Sequence, residues 1–446
     1  MNLRKVAYFS LSRLRGFPLS NYYERFLREE RDRIPSDTSR KLLVRLLEHC
    51  KQSVPYYAKV MHNIGNFFCD DPEEYLRHFP ILTKEIIRNR FDELKSTDLA
   101  RRKWHLNSSG GSTGEPVQFI QDREYRAQAE AITLLYSKWV GNEIGGLQVR
   151  LWGSERDILQ GNEKWRTRLL CNIINTTFVN AFSLDEKRIR EFIAFLNAKR
   201  PKLIIAYAQS IYEVARFCER ECLEVIPQEA IITSAETLHS FMREKIERVF
   251  RCRVFNRYGS RELGDIACER PGWEGLWVAP WGNYVEIVDG EGNRVPDGTQ
   301  GEILVTSLTN YAMPLVRYRI GDIGILSPPK SIGRGGDGQV LQMVLGRITD
   351  TFKTMNGTLV YPGYFAYLLF SRDWVSKFQI IQKSPKLLVF KIVKSASGYQ
   401  PMELDEISAK TKLIMGGDCE VVYEFVDEIV PSRSGKYRYE ISEVDD

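Results

Sequence analysis

Histidine is scarce in this chain, with five in 446 residues. Many metal sites and most nucleophile triads depend on a histidine that stands in a recognisable local pattern. None of the five stands in such a pattern, so we assign no catalytic histidine and interpret all of them as ordinary surface or core residues. They are His49, His62, His78, His105 and His239.

The sequence also lacks a long hydrophobic run and any paired cysteine spacing. The basic opening, residues 1–17, has too short an apolar run for a signal peptide or a membrane span. We expect it to form a docked terminal helix, and a surface amphipathic segment is the alternative. The eight cysteines have neither zinc-ribbon nor disulfide-scaffold spacing, which indicates reduced, mostly buried thiols in a cytoplasmic protein.

A strong charge of either sign is missing as well. The 63 basic and 58 acidic residues leave a formal charge of +5, which is too mild to argue for nucleic acid as a partner, although phosphate-bearing small molecules stay compatible with it. Hydrophobic content of 43% and charged content of 27% are those of an ordinary folded protein. A chain of this length exceeds what one hydrophobic core usually supports, so two or more domains are expected.

Hydrophobic periodicity predicts an α/β fold. Residues 21–102 look helical and are interpreted as scaffold. Beyond them strands and helices alternate, which predicts parallel strands covered by helices on both faces. The predicted strands are 147–153, 202–208, 229–235 and 252–259, and the predicted helices are 185–199, 209–222 and 239–250.

The pattern changes after residue 275. Residues 275–327 form short alternating runs broken by turn signals such as VPDG, which predict antiparallel hairpins that we place as a β-rich flank of the large domain. The tail contains enough residues for a small α+β domain of its own. We therefore divide the chain into a large N-terminal domain, 1–345, and a small mobile C-terminal domain, 346–446.

The stretch from Asn107 to Pro116 reads NSSGGSTGEP and suits neither a helix nor a strand. Its glycines permit positive φ and allow backbone N–H groups to approach a phosphate closely. The Walker P-loop is excluded because it needs a Lys-Ser/Thr pair after its last glycine, where this chain has Glu115 and Pro116. By itself the loop is also explained as a flexible turn. The glycines are Gly110, Gly111 and Gly114, and the hydroxyl donors are Ser108, Ser109, Ser112 and Thr113.

Five further segments follow the loop in a fixed order. Together with the loop they resemble the core motifs of the adenylate-forming acyl/aryl-CoA ligase superfamily, in particular its phenylacetate-CoA ligase branch with the CapK-like members associated with capsular polysaccharide synthesis. The resemblance runs from about Pro55 to the end of the chain, and six motifs in one order are far more specific than any one of them. The segments are SAETL (234–238), YGSRELG (258–264), YRIGD (318–322), GRITD (346–350) and SRSGKYR (432–438).

The resemblance implies ATP-dependent activation of a small carboxylic acid through an acyl-adenylate, followed by transfer to coenzyme A. It implies a nucleotide site in which Tyr258 stacks on adenine, Asp322 accepts both ribose hydroxyls, and Glu262 binds a Mg²⁺ ion that bridges phosphate oxygens. The implied nucleotide-binding residues are Ser108, Ser109, Gly110, Gly111, Ser112, Thr113, Gly114, Ala235, Glu236, Tyr258, Gly259, Ser260, Arg261, Asp322 and Arg347.

Lys436, in SRSGKYR, is implied to be catalytic together with Glu262. A carboxylate that approaches the α-phosphate to about 4 Å is repelled by roughly 4 kcal/mol at an effective dielectric near 20, and a cation offsets this repulsion. The implied hinge, Thr349 and Asp350, would let the small domain carry Lys436 away after the first step. An exposed tail lysine is the ordinary alternative for Lys436.

Three positions depart from the commoner pattern of this family. Glu115 stands where many relatives have lysine, Arg261 where they commonly have serine or threonine, and Thr349 where they have an acidic residue. Extra phosphate neutralisation must therefore come from another residue, and Arg261 could itself contact phosphate. The identity of the hinge and the choice of substrate stay open.

Several alternatives stay open beside these assignments. Taken alone, SAETL could cap a helix through Ser234 or Thr237, YGSRELG could be a strand-end turn, and Asp322 could pair with Arg319. The acyl acceptor could be an amine or hydroxyl, as in polysaccharide tailoring, or the chain could be a catalytically silent nucleotide-binding homologue. The sequence does not identify the acid. Trp152, Tyr207 and Trp281 could line an acyl pocket, although aromatic residues at strand ends more often belong to the core.

Overall fold

A computed structural model of the chain describes residues 2–32, 37–65, 71–109, 116–153, 164–181, 184–328, 338–347, 351–360, 362–370, 372, 374–395, 401–429 and 438–444. The chain divides into two compact units. The large unit comprises residues 1–238, 242–320 and 324–344. The small unit comprises residues 345–446 together with the short segments 239–241 and 321–323.

Helices make up most of the first hundred residues of the large unit. The 3.6-residue period of α3 directs Leu43, Leu46 and Leu47 into the core. The docked helix expected at the N-terminus is present as α1, which buries Tyr8 and Phe9. These helices are α1 (Leu3–Leu14), α2 (Leu19–Arg31), α3 (Thr38–Ser53), α4 (Pro55–Ile64), α5 (Pro72–Arg77), α6 (Lys84–Asn89) and α7 (Phe91–Leu94), followed by a 3₁₀ turn, Leu99–Arg101.

A hairpin and a long helix come next. Strands β1 (Trp104–Ser108) and β2 (Gln118–Asp122) pair antiparallel and flank the glycine-rich loop. Helix α8 (Arg123–Trp139) starts immediately after β2. The Asp122 carboxylate accepts a hydrogen bond from the backbone N–H of Tyr125 at 2.7 Å, so Asp122 both ends the strand and caps the helix.

Five parallel strands form one half of the central sheet, in the order β4-β3-β5-β6-β7. Their apolar runs LIIAY and AIITS are fully buried, as expected for parallel strands with both faces covered. The strands are β3 (Gln148–Trp152), β4 (Thr176–Asn180), β5 (Leu203–Tyr207), β6 (Ala230–Ser234) and β7 (Arg253–Ser260). The connecting helices are α9 (Lys164–Ile174), α10 (Glu186–Lys199), α11 (Ala208–Arg220) and α12 (Ser240–Phe250).

The direction of the strand order reverses at β3. The chain leaves β3 for β4 on one side and then returns to β5 on the other side of β3. In open α/β sheets, ligands bind outside the carboxyl ends of the strands at such a switch point. The residues at the carboxyl ends of β3 and β5 are Trp152 and Tyr207.

The same sheet continues beyond β7 with antiparallel pairing, first to β8 and then to β9. The order then runs β13-β12-β11-β10, which makes eleven strands in all. The β-rich flank expected from the sequence is therefore continuous with the parallel strands. Its strands are β8 (Gly264–Glu269), β9 (Leu276–Val278), β10 (Asn283–Val288), β11 (Gln300–Ser307), β12 (Tyr318–Leu326) and β13 (Val340–Arg347).

The small unit contains a four-stranded sheet in the order β18-β17-β16-β19. Strands β16 and β17 form an antiparallel hairpin, and each edge strand runs parallel to its neighbour. Helix α14 buries Ile407, Thr411 and Met415, which are four residues apart and share one face. The elements are β14 (Phe352–Lys353), β15 (Leu359–Val360), α13 (Gly363–Phe370), β16 (Val375–Ser384), β17 (Leu387–Lys394), α14 (Pro401–Met415), β18 (Glu420–Phe425) and β19 (Glu440–Ser442).

The predicted fold class is confirmed: helices flank a large central sheet, and a separate sheet with helices lies at the C-terminal end. In the alternating region the predicted elements agree with the observed ones to within two residues at each end. Among the helices in the described ranges, none combines the length and the apolar character needed to cross a membrane.

Candidate functional site

The base of the glycine-rich loop is closed by backbone and side-chain hydrogen bonds. The N–H of Ser109 donates to the carbonyl oxygen of Val117 at 2.9 Å, and the N–H of Val117 donates to Ser109 Oγ at 2.9 Å. Ser109 is only 4% exposed, and Ser108 before it is half-buried. The hairpin thus holds the two ends of the loop together at a defined position.

The side chain of Gln121 joins this hairpin to the YGSRELG turn. Its Oε1 accepts from Asn107 Nδ2 at 3.1 Å. Its Nε2 donates to the carbonyl oxygens of Arg261 and Glu262, at 3.0 and 3.1 Å. Tyr125 on α8 donates its hydroxyl to the same Glu262 carbonyl at 3.3 Å. Hydrogen bonds therefore join the hairpin that flanks the glycine-rich loop to the predicted metal-binding turn.

The carboxylate of Glu262 lies inside the large unit and contacts a third motif, YRIGD. Glu262 is 7% exposed, and its Oε1 accepts a hydrogen bond from the hydroxyl of Tyr318 at 3.3 Å. Tyr318 begins β12, the strand that carries YRIGD. Three of the six sequence motifs thus meet through Gln121, Glu262 and Tyr318.

The rest of the YGSRELG segment forms a tight strand-to-strand turn. A Cβ at Gly259 would come within 2.4 Å of the carbonyl oxygen of Gly264, so only glycine permits this approach. The N–H of Leu263 donates to Ser260 Oγ at 3.3 Å. Tyr258 is half-buried against the core of the large unit. Its stacking on adenine stays a prediction.

The SAETL segment contains an unusual backbone conformation. Ala235 has φ of +69°, which costs energy for a residue with a side chain and is concentrated at functional sites. The next side chain, Glu236, accepts a hydrogen bond from the backbone N–H of Gln209 at 2.9 Å. Gln209 lies in the first turn of α11, directly after β5. The end of β6 is therefore tied to the end of β5.

Two of the three proposed acyl-pocket aromatic residues flank the switch point of the sheet. The rings of Trp152 and Tyr207 lie 4.2 Å apart, with an angle of 32° between their planes. Trp281 instead belongs to the core. It is 1% exposed, its ring stacks on Phe26 at 4.5 Å, and its Nε1 donates to Glu29 at 2.5 Å.

Asp322 and Arg347, both predicted nucleotide contacts, approach each other. Arg347 Nε lies 3.9 Å from Asp322 Oδ1. Arg319, the alternative partner for Asp322, forms an ion pair with another residue. Its Nε lies 2.9 Å from Glu302 Oε2. The Arg347 side chain is 39% exposed and that of Asp322 15% exposed. Their contacts with ATP stay predictions.

Several predicted site residues lie outside the described residues, and their placement stays a prediction. They are Gly110, Gly111, Ser112, Thr113, Gly114, Glu115, the hinge residues Thr349 and Asp350, and the catalytic candidate Lys436.

The side chains that connect the motifs were not among the predicted site residues. Gln121 and Tyr125 lie outside every motif, and their bonds to Glu262 span 141 and 137 residues of chain. Tyr318 is the first residue of YRIGD, so its position was an available signal. Nothing local in the sequence marks Gln121 except its place in the strand after the loop.

Two of the histidines, His49 and His105, are partly buried. His49 Nε2 lies 2.9 Å from the carbonyl oxygen of Tyr311 and 3.2 Å from Ser96 Oγ. Burial lowers the pKa of both His49 and His105, which favours the neutral form. In the part of the chain that the structure describes, no three His, Cys, Asp or Glu side chains are grouped as metal ligands.

The fold is shared with solved adenylate-forming CoA ligases. A 2-hydroxyisobutyryl-CoA ligase, solved in the postadenylation state with 2-HIB-AMP, superimposes with a TM-score of 0.70 at 17% identity, covering 93% of this chain and 91% of that chain. The same ligase has also been solved in an open conformation and in the thioesterification state, each with 2-HIB-AMP and CoA.

Named relatives agree with the resemblance inferred from the motifs. Protein CapK of Staphylococcus aureus is 23% identical over 83% of this chain and 80% of its own length. The phenylacetate-coenzyme A ligase of Escherichia coli is 25% identical over 71% of each chain. Residues 352–443 match the CapK C-terminal domain. The expected relationship to CapK and phenylacetate-CoA ligases is thus confirmed.

Proposed function

We propose that this protein activates a carboxylic acid with ATP by forming an acyl-adenylate, and then transfers the acyl group to coenzyme A. The observation that carries the proposal is the hydrogen-bonded connection among three motifs: Gln121 binds the Glu262 backbone, and the Glu262 carboxylate accepts from Tyr318. All three motifs contain residue types that suit the binding of ATP. The fold is that of enzymes that form acyl-adenylates.

In the first step an oxygen of the acid's carboxylate attacks the α-phosphorus of ATP. A new O–P bond forms, the bond to the β-phosphate oxygen breaks, and pyrophosphate leaves with the electron pair. Backbone amides and hydroxyls of the loop 108–114 hold the departing phosphates. Lys436 lies between the two negative reactants and offsets their repulsion. Tyr258, Asp322 and Arg347 hold the adenosine part of ATP in position.

Magnesium fits the proposed site. Mg²⁺ prefers oxygen ligands and keeps several waters, so one carboxylate together with substrate phosphates is a sufficient set of ligands. The Glu262 carboxylate is buried next to the loop hairpin and held by Tyr318. Bound there, the ion would neutralise charge on the phosphate oxygens.

In the second step the small domain, 346–446, rotates about Thr349 and Asp350. Rotation withdraws Lys436 and opens a path for the thiol of coenzyme A. The thiol sulfur attacks the acyl carbon, a thioester forms, and AMP leaves. Support comes from the 2-hydroxyisobutyryl-CoA ligase, which has been solved both after adenylation and in the thioesterification state. The reducing cytoplasm suits such an enzyme, because the cysteines of the described residues form no disulfide with one another.

A different acceptor is the second candidate. The relative named CapK suggests capsular polysaccharide synthesis, in which an amine or hydroxyl would take the acyl group. A catalytically silent homologue is the alternative from another class.

The direct test is a screen for pyrophosphate and AMP release across aryl, fatty, amino and sugar acids, with and without coenzyme A. We expect pyrophosphate with at least one acid, and a thioester only when coenzyme A is present. Pyrophosphate without any thioester would favour the amine or hydroxyl acceptor. ADP as the nucleotide product, or no turnover with any acid, would contradict the proposal.

Replacing the proposed catalytic lysine separates the two steps. Lys436→Ala should slow adenylation roughly a hundredfold or more, comparable with the loss of one oxyanion donor. Supplied with preformed acyl-adenylate, the variant should still transfer the acyl group at the normal rate. Lys410→Ala, which removes an exposed lysine paired with Glu406, is the matched control. An equal loss in both steps would show that the division of labour is wrong.

A further inference from the structure

A cavity of about 570 Å³ lies in the large unit, bordered by α1, the start of β1 and the start of α8. It is at the end of the β1–β2 hairpin that faces away from the glycine-rich loop. Trp104, which lines the cavity, pairs with Asp122 at that end, whereas Ser108 pairs with Gln118 at the loop end. Four residues of strand, or roughly 13 Å, separate the two ends, so the cavity is separate from the candidate site described above.

Positive charge is concentrated around this cavity. Five of its fourteen lining residues are Arg or Lys and one is acidic, whereas the whole chain is nearly balanced, with 63 basic and 58 acidic residues. The acidic residue, Glu130, accepts the hydroxyl hydrogen of Tyr8. Arg102 pairs with Asp98 and Asp122. The remaining four cations form no ion pair with any residue that the structure describes, and they are Arg15, Lys103, Arg123 and Arg126.

The outward face of α1 is apolar, although its inward face is already packed in the core. Residues at helical spacing of three, four and seven share one face. On α1 this face is exposed and contains no charge, and Leu3 is 69% and Leu14 86% exposed. The helix contains no acidic residue at all. Folding of the chain therefore accounts for one apolar face of α1 and not for the other, which consists of Leu3, Val6, Ala7, Ser10 and Leu14.

The apolar face and the cationic cavity border each other. Arg15, which lines the cavity, follows Leu14 directly. Arg123 on α8 donates from Nη1 to the carbonyl oxygen of Arg15 at 2.9 Å, which fixes the end of α1 beside the cavity. On β1, Trp104 is 47% exposed and Leu106 on the same strand face is 49% exposed. Tryptophan is enriched where proteins meet the headgroup region of a membrane.

We propose that α1 and the rim of this cavity form a docking surface for a bilayer that contains anionic phospholipid. The outward face of α1 lies at the boundary between headgroups and acyl chains, as in other amphipathic helices that bind in the plane of a membrane. The four unpaired cations bind lipid phosphates. The protein is attached to the surface of the bilayer and does not cross it, and this attachment does not depend on the proposed adenylation.

Two other occupants fit these features less well. A small phosphate-bearing molecule could use the cations, but it would leave the apolar face of α1 in water. A second copy of the chain could cover the apolar face. In a two-fold dimer, however, the same patch meets itself, so the four cations would be brought towards their own copies. An anionic bilayer matches both the apolar face and the charge.

The test is flotation of the full-length protein with vesicles. One set contains phosphatidylcholine alone, and the other contains about one third phosphatidylglycerol, which supplies anionic headgroups. We expect at least tenfold stronger binding to the anionic vesicles, and weaker binding as the salt is raised from about 0.05 to 0.5 M, because salt screens the attraction. No binding to anionic vesicles, or equal binding to both sets, would overturn the proposal.

Variants test the apolar face and the cations separately. Leu14→Glu should weaken binding to anionic vesicles at least tenfold, because it places a carboxylate in the apolar face. The matched control is Leu413→Glu on α14, since Leu413 is 80% exposed, and it should leave binding unchanged. Arg126→Gln should weaken binding about fivefold, the effect of one cation near an anionic membrane. Its control is Arg220→Gln, because Arg220 is exposed and pairs with Glu221 and Glu186.

Equal binding of Leu14→Glu and the wild-type protein would contradict the role of α1. Sedimentation velocity tests the second copy: a dimer that Leu14→Glu dissociates, without vesicle binding, would overturn the proposal in favour of self-association. Saturable calorimetric binding of inorganic phosphate, again without vesicle binding, would overturn it in favour of a site for a small anion. Urea unfolding shows that each variant is folded, and Val6→Glu replaces Leu14→Glu if it is not.

Pyrophosphate release in the absence of vesicles should be the same for these variants and the wild-type protein. Loss of vesicle binding with normal pyrophosphate release would therefore concern the docking surface alone. Vesicle binding by a protein that releases pyrophosphate with no acid would keep the docking surface and overturn the proposed adenylation.

Discussion

Two arginines, one beside each half of the central sheet, have different environments. In the antiparallel half, Arg317 pairs with Glu286 at 3.2 Å, and its side chain is 3% exposed. Its other nitrogens donate to the carbonyl oxygens of Arg77, Phe79 and Gly292 at 2.8 to 2.9 Å. In the parallel half, Arg150 is partly buried, and its buried Nε has no hydrogen-bond partner among the described residues.

The difference distinguishes an arginine that stabilises the fold from one that forms no such bonds. Arg317 uses its donors to connect β12 to the helical scaffold and to a hairpin turn, so its charge is part of the fold. Arg150 lies in β3, next to the switch point, and its Nε has no acceptor among the described residues.

The largest expected effect tests the structural arginine. Arg317→Met should lower the free energy of unfolding by about 3 to 5 kcal/mol, because it leaves Glu286 buried without its partner. Burial already raises the pKa of Glu286, and Arg317 opposes that rise. Urea denaturation measures the loss. Arg294→Met, which removes a partly exposed pair with Asp297, should change stability by less than about 1 kcal/mol. Similar losses in both variants would contradict the role of Arg317.

A partly buried base, His239, can release its proton, which an arginine cannot. Burial lowers the pKa of His239 to about 4, below the value near 6.5 of an unfolded chain. The folded state therefore disfavours the proton, and stability should fall as the pH drops through the window from about 6.5 to 4. Between pH 7 and pH 5 the expected loss is about 2 kcal/mol.

Urea midpoints at the two pH values measure this loss. His239→Gln should show a smaller difference between pH 7 and pH 5 than the wild-type protein. His62→Gln, at an exposed position, should leave the difference unchanged. An unchanged pH dependence in His239→Gln would assign the effect to other groups.

A smaller effect tests the hydrogen bond that joins two motifs. Tyr318→Phe removes the donor to Glu262 Oε1 and should cost about 1 kcal/mol of stability, the usual net contribution of a hydrogen bond. Thermal or urea unfolding measures it. Tyr367→Phe, on a side chain that is 55% exposed, is the control and should have no measurable effect. A neutral result for Tyr318→Phe would show that the bond contributes nothing to the site.

The smallest stability effect is expected for Arg150. Arg150→Met should stay within about 1 kcal/mol of the wild-type protein, since it breaks no ion pair among the described residues and keeps a side chain of similar volume at a partly exposed position. The same urea experiment as for Arg317→Met measures it. A loss as large as that of Arg317→Met would show that Arg150 is structural and would remove the contrast between the two halves.

Much of the fold was accessible from the sequence, for a physical reason. Strands such as LIIAY and AIITS are short apolar runs between amphipathic helices, and local periodicity together with turn residues predicts them. Close backbone approaches also restrict which residue types can stand in a turn. Gly259 is an example, since a Cβ there would collide with the carbonyl oxygen of Gly264. The roles of the motif residues in binding ATP stay predictions.

The sequence by itself therefore determined the α/β class, the bounds of seven elements in the alternating region and the order of the six motifs, because these depend on neighbours within a few residues. It did not predict the helix Lys164–Ile174 or the strand Thr176–Asn180. Only the tertiary structure decided which side chains connect the motifs, as Gln121 does for Glu262 across 141 residues. It also distinguished two arginines that follow valine in similar segments, VRLW at 149–152 and VRYR at 316–319. Their local sequences look alike, and only packing of distant segments supplies acceptors to one and withholds them from the other.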